Sequence, residues 1–170
     1  MSRKRGAAVA TFLVVVLVVS VNVLPSAAQE PPPPPIATEF LSGRAVFTDA
    51  VHMKFRTRLD KKSTQVVRVN DPSTTVVARF TVQPGAQFPW HSHAGPVVVN
   101  VVEGELVYVD AMTCTERPYT AGKAFVDPGQ GHVHSAFNPT DEETVLVATF
   151  YDAPAEGSLL IPGEAPEDCQ

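Results

Sequence analysis

Four of the chain's five histidines stand in two His-x-His pairs, His91-Ser92-His93 and His132-Val133-His134. Side chains two positions apart on a strand leave the same face, so each pair can aim two imidazoles into one space. Neutral imidazole is a common ligand for zinc, copper, iron and nickel. One such pair is a weak signal. Two pairs, each beside a Gly/Pro turn and an apolar strand, make a candidate metal site. The sequence offers no phosphate-cradling glycine loop, no serine nucleophile elbow and no cysteine pair with zinc spacing. His52 falls on the polar face of its segment and is expected in solvent.

The elements that must carry these histidines read as strands. Residues 51–58 and 75–82 alternate apolar and polar, the period of a strand with one buried face. Residues 97–102 are nearly all apolar, as for a strand covered on both sides. Glu103-Gly104 then turns the chain, and residues 105–110 are expected to return as a hairpin partner. Further strands are expected over 123–126, 133–137 and 144–151. Turns fall at Gln83-Pro84-Gly85, Asp127-Pro128-Gly129 and Asn138-Pro139-Thr140. After residue 40 no segment has a capped helical period. The prediction is an all-β sandwich or barrel in a single domain.

Around this domain the composition shifts. Arg3, Lys4 and Arg5 precede an apolar run from Ala7 to Leu24, which ends in Pro25-Ser26-Ala27-Ala28. This is the pattern of a secretory signal peptide over 1–28, the other reading being a retained membrane anchor. Either places the remainder outside the cytoplasm, secreted or associated with the cell envelope. Residues 29–41, with five consecutive prolines, read as a linker of polyproline II type. The barrel is expected over 42–153 and a polar tail over 154–170. Removal of residues 1–28 leaves 10 basic against 18 acidic side chains, a net charge of −8. That charge argues against nucleic acid or an anionic membrane surface as partner. Cys114 and Cys169 both lie in the exported part, where disulfides persist, and are expected to pair; the alternative is two free thiols.

The spacing of these residues resembles the two motifs of the cupin superfamily. In the first, Gly85 is followed by five residues and then His91-Ser92-His93, and Gly104 stands at the closing glycine. In the second, Gly122, five residues and Pro128 fit, as do Gly131, two residues, His134, three residues and Asn138. The resemblance covers 85–138. It implies a small double-stranded β-helix (jelly-roll) barrel with a metal inside, held by His91, His93 and His134. Two features depart from the pattern. Val97 stands where the family's glutamate ligand belongs, and one extra residue separates Pro128 from Gly131. His132 matches no family ligand, and three roles stay open for it: a substitute fourth ligand, a proton-handling base behind the ligands, or a surface loop residue.

A neutral set of three histidines leaves a divalent metal its full charge and open positions for water or substrate. The implied ion is iron, with zinc, copper, nickel or manganese as alternatives. The expected function is a metal-dependent oxygenase of a small organic molecule. The alternative is a non-enzymatic module binding a sugar, a small acid or the metal itself. Trp90, Val97, Tyr108 and Phe137 are the expected pocket residues. Asn138 is expected to tie its own loop through backbone hydrogen bonds. A homodimer is the expectation by analogy with the family.

Overall fold

The computed structural model describes residues 35–58, 64–167 and Cys169. The signal segment expected over 1–28 lies outside them. Among the described residues there is no helix, and none long and apolar enough to cross a membrane.

Twelve strands form the fold: β1 (Ile36–Phe40), β2 (His52–Arg58), β3 (Thr64–Asn70), β4 (Thr74–Val82), β5 (Gln87–Ser92), β6 (Val97–Glu103), β7 (Glu105–Asp110), β8 (Thr115–Thr120), β9 (Ala124–Asp127), β10 (His134–Phe137), β11 (Thr144–Ala153) and β12 (Ile161–Pro162). Two five-stranded antiparallel sheets are ordered β1-β4-β11-β6-β9 and β12-β5-β10-β7-β8, and β2 pairs with β3 alone. Alternation decides the core. In β4, Val76, Ala78, Phe80 and Val82 are buried; in β11, Leu146, Ala148 and Phe150 are. With Val97, Val101, Leu106 and Ala136 from the other strands they make one apolar cluster. This is the double-sheet barrel of the predicted all-β class.

The structure departs from the sequence reading in four places. β6 and β7 are no hairpin: β6 pairs with β11 and β9, β7 with β10 and β8. The Glu103-Gly104 turn carries the chain from one sheet to the other. Gly104 takes φ of +73°, and a Cβ there would lie 2.5 Å from Thr144 Oγ1. That hydroxyl accepts from Glu105 N (3.1 Å) and donates to Glu105 O (2.8 Å), pinning the corner to β11. β6 is covered on one face only, since Val102 is 48 % exposed.

β5 and β8, neither among the expected strands, contain Pro89 and Pro118. Proline is tolerated on an edge strand or at a bulge; β8 is an edge, and the register of β5 against β10 slips beside Pro89. Finally, the sheet is wider than the range 42–153. Ile36–Phe40, within the expected linker, pairs with β4, and Ile161–Pro162, within the expected tail, pairs with β5. Cys114 and Cys169 form a disulfide that holds the C-terminal segment to the loop between β7 and β8.

Candidate functional site

His134 on β10 stands opposite His91 on β5. Ala136 pairs with Phe88, so β5 spends three residues where β10 spends two, a β-bulge at Pro89-Trp90. The bulge resets which side chains face inward. Phe88 and His91 both line the barrel cavity, whereas Trp90, between them, does not. His93 follows two residues after His91 on the same side.

The three imidazole rings converge, with centroids 4.2 Å apart for His91–His134, 4.8 Å for His91–His93 and 5.3 Å for His93–His134. One nitrogen of each lies within 4.8 Å of the others, and all three residues are buried. The backbone decides which nitrogen of His91 and His93 is free. Each Nδ1 faces a carbonyl oxygen, Pro89 O at 2.6 Å and Leu159 O at 2.9 Å. A carbonyl only accepts, so Nδ1 carries the hydrogen, and in the neutral ring Nε2 keeps its lone pair. Burial keeps the rings neutral. It lowers His91 from 6.5 to about 4 and His134 from 6.5 to about 3, and it lowers His93 too.

Behind His134 lies Asp127, the last residue of β9 and 1 % exposed. Its Oδ1 accepts from Gly129 N (2.8 Å), and its Oδ2 from the Tyr108 hydroxyl (2.7 Å). Tyr108 also stacks on the His134 ring at 4.9 Å. His134 Nδ1 is 3.1 Å from Asp127 Oδ2 but off the line of a hydrogen bond, and is a buried nitrogen without a hydrogen-bond partner. Burial pushes Asp127 up, but hydrogen bonding from His132, the charges of His134 and His93, and the tyrosine outweigh it and hold the carboxyl at about 2. Burial, then Asp127, raises Tyr108, so its hydroxyl stays protonated and donates.

His132 is neither in the cavity nor in solvent. Its Nε2 is 3.0 Å from Asp110 Oδ2 and its Nδ1 3.5 Å from Asp127 Oδ2. The hydrogen bond to Asp127 raises its pKa against the effect of burial. Gly129 fixes this corner. It takes φ of +59°, and a Cβ there would lie 2.0 Å from Gly95 O.

The cavity has a volume of about 500 Å³, counting space open to solvent. Of the expected pocket residues, Val97 and Tyr108 line it; Trp90 and Phe137 do not. Phe137 follows Ala136 on β10 and leaves the opposite face. Asp127, Leu159 and Leu160 belong to the site and escaped the sequence reading. Alternation from Phe125 could have found Asp127, since both face inward from β9. Nothing in the polar segment after residue 153 marks Leu159 as a partner of His93.

The residues present fit a metal ion: three neutral imidazoles, two with Nε2 left free by the backbone, and a carboxylate beside the third. A second group, Asp127, His132 and His134, also brings ligand atoms within 4.8 Å, but shares His134 with the first. Its Asp127 is already committed to Tyr108 and Gly129.

Comparison with known proteins gives a family match over residues 78–150, to the cupin domain. No curated protein sequence matches the chain. Among solved structures, the polyketide cyclase RemF from Streptomyces resistomycificus is 22 % identical with a TM-score of 0.45, covering 56 % of this chain and 64 % of its own. An oxalate oxidase is 25 % identical at a TM-score of 0.44, covering 52 % and 45 %. A cupin-2 domain protein from Shewanella frigidimarina is 24 % identical at 0.39, covering 45 % and 70 %. The chain spans less than two thirds of the first two.

Proposed function

Because this chain belongs to the cupin superfamily, we propose that His91, His93 and His134 hold one divalent metal ion and that the barrel applies it to a small organic molecule, most simply as an iron-dependent oxygenase. The observation that carries the reading is the state of the imidazoles: buried, neutral, converging, with His91 and His93 locked in one tautomer by Pro89 O and Leu159 O. Preset donors of this kind bind a metal without rearranging. When bound, the ion supplies a Lewis-acid or redox centre with positions open to substrate.

The chain's own groups do the rest. Pro89 O and Leu159 O orient the rings of His91 and His93, and Tyr108 stacks on the ring of His134, beside which Asp127 stands. His132 braces Asp127 from behind and is itself braced by Asp110. The barrel wall around the three rings is mainly apolar. The Cys114–Cys169 disulfide supports a location in an oxidising compartment outside the cytoplasm.

A second reading is metal or ligand capture without turnover. It is favoured by His132, the one proton-handling candidate, standing outside the cavity.

Metal content measured by elemental mass spectrometry tests the site. One equivalent is expected in the wild type, with sharp loss in His91→Ala and His93→Ala and an unchanged circular dichroism spectrum. Unchanged metal content in both variants would sink the assignment. Oxygen uptake by the iron-loaded chain in the presence of small organic substrates then separates turnover from capture.

A further inference from the structure

The cavity has few polar groups, and they are already spent. Beyond the three histidines, its polar lining consists of Tyr108 and Asp127. The tyrosine hydrogen goes to Asp127 Oδ2, and Oδ1 accepts from Gly129 N. Among the described residues, no lysine, arginine, serine, threonine, asparagine or glutamine lines the space. The rest is carbon. Phe80, Phe88, Phe125 and Phe150 present rings, and Leu160 reaches in from the C-terminal segment.

A sugar buried here would leave hydroxyls without partners, and a dicarboxylic acid would leave its second carboxylate without a cation. Each unpaired group costs about tenfold or more in affinity. An aromatic ring fits the opposite requirement, since it asks for packing and ring-edge contacts and nothing else. The only polar recognition left is at the open face of the three imidazoles, where one oxygen of the ligand can reach the metal.

Resting on the metal reading above, we propose that the ligand is a small aromatic molecule with one metal-ligating oxygen group, a phenol or an aryl monocarboxylate. Leu160 closes the apolar side of its site.

Calorimetric titration of the full chain, reconstituted with one equivalent of zinc, with benzoate, succinate and glucose tests this. Benzoate is expected to bind about tenfold or more tighter than succinate, and glucose to give no binding heat. Leu160→Asn, at a half-buried position, is expected to weaken benzoate about fivefold with zinc stoichiometry unchanged, and Leu160→Met to restore it. Succinate or glucose binding as tightly as benzoate overturns the proposal, as does an unchanged benzoate affinity in Leu160→Asn. If the chain takes up no zinc, the metal reading fails by itself. Phenol and glucose titrated into the metal-free chain then decide the ligand class: phenol tighter supports it, glucose equal or tighter overturns it.

Discussion

Acid should destabilise the metal-free protein along a course set by its buried imidazoles. Burial holds His91 at about 4 and His134 at about 3, against 6.5 in the unfolded chain. Below pH 6.5 the unfolded chain therefore takes up protons that the folded one refuses. The stability due to neutral imidazoles is complete above pH 6.5 and falls as pH drops. Each ring contributes about 1.36 kcal/mol per pH unit. Between pH 6.5 and 4 the two together remove about 5 kcal/mol, comparable to the whole stability of a typical domain, about 5–15 kcal/mol. His93, also lowered by burial, adds to the same loss, while Asp127 and His132 stay out of this window. Asp127, lowered to about 2, loses its contribution only below 3.8. His132, raised, contributes fully below 6.5 and loses its effect as pH rises. Urea unfolding of the metal-free chain, with its disulfide intact, at several pH values from 7 to 4.5 measures the slope. It should correspond to at least about two protons taken up on unfolding, with His93 adding to them. His91→Gln should remove about one of them. A slope below one proton per molecule throughout would refute the claim that these rings are buried and neutral.

Other substitutions probe the supports of the site. Asp127→Asn should lower zinc affinity about 10- to 100-fold in competition with a chromophoric chelator, because the carboxylate behind His134 is lost. Replacing both Cys114 and Cys169 by serine opens a loop of sequence separation 55 and should cost about 4 kcal/mol in chemical denaturation. Gly129→Ala should destabilise by about 2 kcal/mol or more and weaken metal binding with it. Its Cβ meets backbone at Gly95, and the loop that would move donates to Asp127.

The architecture was legible wherever one period ran unbroken. The alternation of β4 and β11 and the apolar start of β6 declare the core without help. The paired histidines point to the candidate site, since His91 and His93, two apart, leave the same side, although His132 does not join them in the cavity. What escaped depends on local breaks and on distance. Trp90 was misplaced because it adjoins a histidine in the sequence, and neighbours on a strand leave opposite faces; the bulge, invisible in the sequence, instead turns Phe88 inward. Asp127 was hidden by its neighbours: before Pro128-Gly129 it reads as turn punctuation, yet it ends a strand and faces inward. Glu103-Gly104 looked like a hairpin because a tight turn between two apolar runs does not say which sheet receives the second run. Leu159 reaches His93 across 66 residues through a backbone carbonyl, an atom every residue has. No pattern of side chains could announce it.

That last contact also sets an order of assembly. A chain leaving the ribosome presents His91 and His93 long before Leu159, and Cys114 long before Cys169. Until the final residues arrive, the barrel strands can form, yet His93 is free to take either tautomer and the wall at Leu160 is missing. On the proposed function, the centre is finished by the segment that the disulfide clamps, so metal loading is expected of the oxidised chain rather than of the nascent one.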